Sequence, residues 1–376
     1  MRLINDFSDI FLNDIPLIDT RAPIEFNRGS FANATNLPLM TDSERSAVGS
    51  CYKEQGSDAA VALGHQLVSG TIKEQRVKAW IDFVEVHPKG ALFCFRGGMR
   101  SEISQSWLSD RGIEYPRIKG GYKAMRQWLT AQLNRICVQR DFIVVSGKTG
   151  SAKTRLINEG DDGKPLGGSV DLEGLANHRG SAFGRRTSAQ PTQINFEHAL
   201  AVALLKIERD YSGPIIIEDE SRLIGRCALP AALKDRLATA PRVVIDASLQ
   251  SRVTHSVENY ILANFNELAG MAITREEAFE RFSESLRDGL DRIRKRLGGM
   301  KHQKLSALLE CALDAHAQGD DSLHEKWIRE LLVSYYDPMY DYQLANRHLS
   351  ITFSGSQEEV MDYLQDFHDG HRTTGD

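Results

Sequence analysis

Hydrophobic residues along the chain form short runs of strand length that alternate with stripes of helical spacing. Strand-length runs lie at 16–19, 91–95, 141–145, 214–218, 242–246 and 348–353. Apolar positions at helical spacing predict helices over 69–86 and 101–108. Because strand, turn and helix follow one another in this order, the pattern predicts an α/β fold built on parallel sheets.

A helical block is predicted at about 272–316, between the last two strand runs. Its apolar positions recur every three or four residues, at Phe279, Phe282, Leu286, Leu290, Ile293 and Leu297. A capping box of Thr274 and Glu277 begins this stripe, and Gly298–Gly299 ends it. We expect the stripe to pack into a core, although its composition also makes the block a candidate for an apolar ligand pocket.

The composition limits the class of protein. A length of 376 residues favours two domains, at ~100–200 residues each. The net charge of −5 gives no sign of a nucleic-acid partner, and no apolar run approaches the ~18–20 residues of a membrane span. Five scattered cysteines without a Cys-x-x-Cys pair predict neither a disulfide framework nor a structural metal site, and they favour the cytoplasm.

The first candidate for chemistry is the loop that begins at Cys94, where an apolar strand run gives way to a helix. Gly97 and Gly98 allow successive backbone N–H groups to face a bound anion. Arg96 and Arg100 add positive charge beside the sulfur. These features predict a reactive thiolate rather than a structural cysteine.

This loop has two interpretations. The spacing from Cys94 to Arg100 is that of cysteine phosphatases, but Phe93 stands where those enzymes usually have histidine. The loop also resembles that of rhodaneses, and the segments 17–21 and 34–38, with Glu25, Phe26 and Gly29 between them, are similar to the opening pattern of rhodanese homology domains. The resemblance covers residues 1–126 and implies a rhodanese-like α/β domain.

The second candidate follows the strand run at 141–145. The segment Gly147-Lys148-Thr149-Gly150-Ser151-Ala152-Lys153-Thr154 matches the Walker A pattern, except that Ala152 replaces the glycine before the lysine. Backbone N–H groups of such a loop face a phosphate, Lys153 neutralises its charge, and Thr154 supplies a hydroxyl for Mg²⁺ or phosphate. We expect the loop to bind a diphosphate, which need not be a nucleotide.

Acidic residues follow the next strand run, at Glu218, Asp219 and Glu220. They stand where a Walker B acid would stand and are candidates for holding Mg²⁺, although acids at strand ends also cap helices. The second domain is therefore predicted at 141–376, a P-loop NTPase-like α/β domain with the helical block as an insertion. A connecting helix at 127–140 is expected to join it to the first domain.

Further stretches sharpen the resemblance, at 117–124, 171–184, 195–197 and 218–225. With the two loops, they make essentially the whole chain similar to the bacterial tRNA 2-selenouridine synthase family. The resemblance implies a tRNA-modifying transferase acting on 2-thiouridine at the wobble position. A geranyl group from geranyl diphosphate is first placed on sulfur, and selenium from selenophosphate then displaces the S-geranyl group to leave 2-selenouridine.

The same resemblance assigns roles to residues of this chain. Cys94 becomes the selenium carrier or nucleophile, with Arg96, Gly97, Gly98 and Arg100 around selenophosphate. We place the diphosphate of geranyl diphosphate in the Walker-like loop, where Lys153 stabilises the departing charge. No tightly bound cofactor is expected.

Charge along the chain is uneven in a way that the average hides. The segment 111–140 carries seven basic residues and one acid, a local charge of +6. Such a strip suits a tRNA backbone, unless its members pair with acids elsewhere. The candidate tRNA contacts are Arg117, Lys119, Lys123, Arg126, His178 and Arg179.

Two other functions fit the motifs alone. One is a cysteine phosphatase or sulfurtransferase fused to a small-molecule kinase, which would turn over ATP and act without tRNA. The other is a non-enzymatic tRNA-binding module whose P-loop holds a structural nucleotide.

Overall fold

A computed structural model describes residues 2–160, 163–345 and 350–369, with 367–369 as backbone only. Contacts divide the chain into two compact units. The first unit comprises the residues up to Leu133 together with Ile194–Leu205, and the second comprises Asn134–Gln193 and the residues from Lys206 onward.

The first unit is built on a parallel sheet. Its strands are β1 (Leu3–Ile4), β2 (Leu17–Asp19), β3 (Ala34–Asn36), β4 (Ala91–Phe93) and β5 (Arg117–Ile118). Its helices are α1 (Ser8–Leu12), α2 (Pro23–Arg28), α3 (Asp42–Gln55), α4 (Ser57–Leu67), α5 (Gly70–Val86), α6 (Met99–Ser109) and most of α7 (Gly121–Gln139). The strand order β1-β5-β4-β2-β3 is parallel throughout, so the carboxyl ends of all strands meet at one edge.

The second unit contains another parallel sheet. Its strands are β6 (Phe142–Gly147), β7 (Ser169–Val170), β8 (Ile215–Glu218), β11 (Arg242–Ile245) and β12 (Ile351–Gly355), in the order β12-β11-β6-β8-β7. Between β8 and β11 along the chain lies the antiparallel pair β9 (Leu223–Ile224) and β10 (Cys227–Ala228).

Helices around and after this sheet make up the rest of the described chain. They are α8 (Lys153–Asn158), α9 (Leu172–Ala176), α10 (Gln193–Asp210), α11 (Ala231–Thr239), α12 (Leu249–Val257), α13 (Ala263–Met271), α14 (Arg275–Leu297), α15 (Gly299–Ala317), α16 (His324–Leu331), α17 (Asp337–Ala345) and α18 (Gln357–Asp369). Two π-helical turns, Glu258–Leu262 and Leu332–Tyr336, make α12–α13 and α16–α17 continuous. No helix within the described ranges has the length and apolar character needed to span a membrane.

The central part of α10 packs in the first unit, although it lies within the second half of the chain. The Asn195 Oδ1 atom accepts a hydrogen bond from the Ser30 N–H at 2.8 Å. The His198 Nδ1 atom lies 2.9 Å from the Ser30 carbonyl oxygen, and its ring centroid lies 4.7 Å from that of Phe31. Residues 194–205 therefore complete the packing around Phe31.

The predicted α/β class is confirmed. Five strand runs correspond to β2, β4, β6, β8 and β11, and the sixth overlaps β12 from Ile351 on, with 348 and 349 outside the described residues. Strands β2 and β4 are buried along their whole length, which explains the apolar sequence of β4 and of Leu17–Ile18, while the buried Asp19 is paired with Arg21.

The helical block is also confirmed as helical. In α14 the Thr274 side chain accepts the N–H of Glu277 at 3.1 Å, and Gly298 ends the helix with φ +84°. Phe282, Leu286 and Leu290 are each at most 2% exposed within a core shared with α13, α15 and α16. The apolar stripe is therefore occupied by packing.

Candidate active sites

The first site lies where β4 ends at the carboxyl edge of the first sheet. Cys94 is 3% exposed, and its Sγ lies 3.2 Å from the Ser101 Oγ at the start of α6. The Ser101 hydroxyl donates to the Gly98 carbonyl oxygen at 2.9 Å. The Ser101 hydroxyl and the Gly98 carbonyl, 3.7 Å from the sulfur, therefore hold Cys94 at the start of α6.

The segment 117–124 holds the Cys94 loop in place. The N–H of Tyr122 donates to the Cys94 carbonyl at 2.9 Å, and the N–H of Lys123 donates to the Phe95 carbonyl at 3.0 Å. Gly97 has φ +65°, and a Cβ there would approach the Gly120 nitrogen to 2.6 Å. The glycines of both segments thus allow two backbone turns to touch, so the loop keeps its shape without a ligand.

An ion pair occupies the arginine at the end of the loop. Arg100 binds both carboxylate oxygens of Glu25, at 2.6 and 3.1 Å, and Arg45 reaches the same carboxylate at 3.0 Å. Burial alone would raise the pKa of Glu25, but the two guanidinium groups hold it below its usual value. Arg100 is therefore fixed beside the Cys94 cavity, with its charge shared with Glu25.

A cavity of ≈780 Å³ surrounds the sulfur side of the loop. Its basic lining residues are Arg21, Arg28, Arg45, Arg96, Arg100 and Arg126, against the single acid Glu25. Arg21 is buried and paired with Asp19 at 2.6 Å, and its guanidinium stacks 3.8 Å from the Tyr122 ring. The cavity therefore combines a thiol with an excess of positive charge, which suits an anionic reactant.

The second site lies where β6 ends in the second unit. The loop from Gly147 leads into α8, as the Walker A pattern requires, and the Lys153 Nζ donates to the Gly147 carbonyl at 3.1 Å. Ala152 has φ +63°, a left-handed conformation that glycine adopts at lower cost. Arg252 donates to the Thr149 carbonyl at 2.9 Å and pairs with Asp337, so it connects the loop to α17.

Three carboxylates converge beside this loop. Ligand oxygens of Glu173, Glu218 and Glu220 lie within 4.8 Å of one another. The Thr154 hydroxyl lies 2.7 Å from Glu218 and 3.1 Å from Glu173. Burial, and then mutual repulsion, raises the pKa of each carboxyl group. Oxygen donors of this kind beside a phosphate loop fit Mg²⁺.

Asp219 is not part of that cluster, and its Oδ2 accepts a hydrogen bond from the Ser146 hydroxyl at 2.7 Å. It still lines the same cavity of ≈620 Å³ as the loop residues 149–154. Arg179 and Arg186 line this cavity too, and the buried Arg186 Nε has no hydrogen-bond partner among the described residues. The cavity thus offers further cationic groups to an anion.

The candidate tRNA contacts fall into different surroundings. Arg117 pairs with Glu102 at 3.0 Å and donates to the Gly97 carbonyl, whereas Lys119 and Lys123 are exposed. His178 is 6% exposed, and burial followed by four nearby arginines lowers its pKa to about 4. These residues stay predictions as tRNA contacts, and the burial of His178 favours a structural role.

Sequence reasoning missed residues that come from other elements. Glu173 belongs to the stretch 171–184, but the spacing of acids along the chain did not link it to Glu218. Likewise, Glu25 and Arg252 reach the two loops from positions 75 and 103 residues away from their partners. The available signal for Glu173 was its place in the stretch 171–184, which carries the family resemblance.

Comparisons with known proteins find similarity to one kind of protein over nearly the whole chain. Residues 140–370 match the sequence model of the tRNA 2-selenouridine synthase AAA domain. Proteins named tRNA 2-selenouridine synthase from Hahella chejuensis, Pseudomonas fluorescens and Marinobacter nauticus are 51%, 49% and 48% identical to the chain. Each match covers 96% of this chain and 93%, 97% and 97% of the respective relative.

Proposed function

The chain belongs to the tRNA 2-selenouridine synthase family, and we propose that it converts wobble 2-thiouridine of tRNA into 2-selenouridine through an S-geranyl intermediate. The observation that carries this proposal is the presence of two cavities, one with a thiol among arginines and one with a P-loop beside a cluster of carboxylates. Two anionic reactants, selenophosphate and geranyl diphosphate, account for two such cavities. The alternative function, a cysteine phosphatase or sulfurtransferase fused to a small-molecule kinase, is not favoured, because the relatives are named tRNA 2-selenouridine synthase.

In the first step, the P-loop of the second unit holds the diphosphate of geranyl diphosphate. The thiocarbonyl sulfur attacks the first carbon of the geranyl group, the C–O bond breaks, and uridine N3 loses its proton. Lys153 stands at the start of α8, where the helix N-terminus and its own charge stabilise the departing diphosphate. Thr154 and the carboxylates Glu173, Glu218 and Glu220 would hold Mg²⁺, which neutralises diphosphate charge when bound.

In the second step, the Cys94 cavity holds selenophosphate near C2 of the alkylated base. Selenium has the same oxidation level in selenophosphate and in 2-selenouridine, whereas a perselenide on Cys94 would require an oxidant and then a reductant. We therefore assign Cys94 as a nucleophile. Its sulfur bonds to C2 and expels geranylthiol; selenium then displaces Cys94, and water cleaves the Se–P bond to release phosphate.

This sequence balances in atoms and protons. The S-geranyl base, hydrogen selenophosphate and water yield 2-selenouridine, geranylthiol and hydrogen phosphate, and N3 regains its proton. Alkylation makes the displacement feasible, because it removes the thioamide-like resonance and turns sulfur into a thiol leaving group.

The tRNA is expected to lie on the basic side of the first unit. Arg28, Arg96 and Arg126 line the Cys94 cavity, and Lys123 lies beside its loop. The described residues provide no ion-pair partner for any of these four side chains. Phosphate contacts on this side would bring the wobble base towards Cys94. The reaction is expected in the cytoplasm, where tRNA is decoded.

Mass analysis of wobble nucleosides tests the proposal. Thiolated tRNA, geranyl diphosphate and selenophosphate are incubated with the wild-type protein or with one of its variants. The variants are Cys94→Ala, Lys153→Ala and, as the control at an exposed cysteine, Cys311→Ala. We expect Cys94→Ala to accumulate S-geranyl-2-thiouridine, Lys153→Ala to geranylate at least ten-fold more slowly, and the control to match the wild type. Loss of both steps in a folded Cys94→Ala protein would refute the assignment of geranylation to the P-loop and of selenium transfer to Cys94.

A further inference from the structure

A second cavity of the first unit has no part in the steps described above. It measures ≈580 Å³ and lies between α3, α4 and α6. Its walls are mainly aliphatic and aromatic, with Leu39, Val48, Val61, Val68, Ile103 and Trp107 among them. The volume falls within the ~300–1,000 Å³ of small-molecule sites.

This apolar cavity borders the Cys94 cavity. Arg45, Tyr52, Met99 and Arg100 line both cavities. Met99 is the first residue of α6 and is 51% exposed, and Tyr52 is 61% exposed. A molecule that reacts at Cys94 can therefore extend past these two side chains into apolar surroundings.

We propose that the apolar cavity binds the geranyl chain of the S-geranyl intermediate during selenium transfer, an inference that rests on the proposed function. In that step C2 of the base must face Cys94. The geranyl chain is joined through sulfur to C2. It must therefore lie within its own length of Cys94. The Cys94 cavity is rich in arginines, which favour anions over hydrocarbon, whereas its neighbour offers an apolar wall.

The helical block at 272–316, whose composition makes it a candidate for an apolar ligand pocket, is a weaker location for the geranyl chain. Its stripe residues Phe282, Leu286 and Leu290 are each at most 2% exposed, because they pack in a core shared with neighbouring helices. The apolar cavity between α3, α4 and α6 is lined instead by apolar side chains that remain accessible to a ligand.

The geranyl group then serves as an anchor as well as an activating group. A tRNA that carries it gains apolar contacts that unmodified 2-thiouridine lacks, so the first unit selects the intermediate. Once geranylthiol leaves C2, the tRNA loses this anchor. We therefore expect 2-selenouridine tRNA to bind more weakly than S-geranyl tRNA.

Two glycines allow the cavity to be filled without disturbing the fold. A Cβ on Gly49 of α3 would meet no atom within 4 Å, and one on Gly64 of α4 would meet only Val48 at 3.8 Å. Both line the cavity, so Gly49→Leu and Gly64→Leu place a side chain in it and also improve helix propensity. Gly270→Leu on α13 is the matched control, because its Cβ also enters open space and it lies in the other unit.

The test compares selenation of S-geranyl and S-methyl 2-thiouridine in tRNA anticodon hairpins, with selenophosphate supplied. We expect the wild type and Gly270→Leu to show at least a ten-fold lower KM for the S-geranyl hairpin. Gly49→Leu and Gly64→Leu should raise that KM about ten-fold and leave the S-methyl reaction and kcat unchanged.

The outcomes separate the two proposals. A wild type that selenates neither hairpin overturns the proposed function and this inference with it. A wild type that is active, with filled-cavity variants that keep its KM for the S-geranyl hairpin, overturns the geranyl site alone. A change of oligomeric state in those variants with KM unaltered also overturns it, because the surface is then an interface between copies.

Discussion

Ala152 shows how one side chain sets the energy of a binding loop. At φ +63° and ψ +32° its Cβ crowds the backbone, which costs an L-residue roughly 1–2 kcal/mol relative to the right-handed region. Glycine avoids this strain but adds conformational entropy to the unfolded chain, which offsets about 0.4–1 kcal/mol. The P-loop of this protein is therefore formed at a small cost in stability.

Ala152→Gly should raise the free energy of unfolding by about 0.5–1 kcal/mol, because the strain released exceeds the entropy added. Urea unfolding measures the change. Ala62→Gly, at an exposed interior position of α4, is the control and should lower stability by about 1 kcal/mol. Equal losses in the two variants would contradict the strain at Ala152.

The Cys94 loop shows a different kind of control at the same scale. Its arginine is held by Glu25 and its backbone by the segment 117–124, so the cavity keeps its shape before any substrate binds. An anion that enters must draw on Arg100 while Glu25 retains part of its charge. Arg45 shares that carboxylate and Arg21 pairs with Asp19, so the positive charge left for an anion comes mainly from Arg28, Arg96 and Arg126.

At the scale of elements, helices α15 and α16 meet at a buried histidine pair. The Trp327 indole N–H donates to His324 Nδ1 at 2.9 Å, so the His324 proton resides on Nε2, 3.1 Å from His316 Nδ1. Burial, followed by the neighbouring His316, lowers the pKa of His324 to about 4. His324 is fully buried and therefore neutral at pH 7.

This pair predicts acid sensitivity of the helical block. Between pH about 6.5 and about 4 the unfolded chain binds a proton on His324 that the folded chain does not, so stability falls as pH drops through that window. The full contribution is about 3 kcal/mol. Urea unfolding at several pH values should show a shallower pH slope for His324→Gln than for the wild type; identical slopes would rule the pair out as the cause.

Local patterns predicted more of the fold than of the sites. The strand runs and the Thr274 capping box were readable because each depends on neighbours within a few residues. The helix α10 was not assigned, and its place in the first unit depends on contacts such as that of Asn195 with Ser30, 165 residues apart. Cys94, Lys153 and Glu218 were found by motif, whereas Glu25 and Glu173 were named only within stretches of family resemblance. Their roles were missed because their partners lie far along the chain.

At the scale of the whole molecule, charge is distributed by pairing. Arg111 and Arg135 of the basic segment pair with Glu74 and Glu208, so the local charge of that segment overstates what a tRNA would meet. Lys123 and Arg126 remain for a polyanion. The net charge of −5 is consequently a poor guide to the side that faces tRNA.

Replacing Lys123 or Arg126 by Ala should weaken tRNA binding and reduce the slope of log affinity against log salt by about 1 each, since each removes one phosphate contact. Arg135→Ala is the control, because its guanidinium is already paired with Glu208 at 2.5 Å. Fluorescence anisotropy of labelled tRNA over a range of salt measures the slopes. Equal effects of all three changes would contradict the assignment.

The separate sites predict that two defective variants can complement each other. A mixture of Cys94→Ala and Lys153→Ala should form 2-selenouridine, because one protein geranylates the tRNA and the other replaces sulfur. The initial rate should fall below that of the wild type, since the intermediate must leave one molecule and bind another. Nucleoside mass analysis checks this; variants that each perform their half-reaction but give no selenouridine together would show that the tRNA never leaves.

The segment 194–205, which packs against Ser30 and Phe31, has a consequence for the order of synthesis. A ribosome delivers the first unit's sheet early, but the residues that cover Phe31 emerge only after β6, the P-loop and α9. The first unit therefore waits, incomplete, while Asn134–Gln193 of the second is translated, and its exposed aromatic surface is open to chaperones during that interval. The first unit can complete its core only after the P-loop of the second unit has been synthesised.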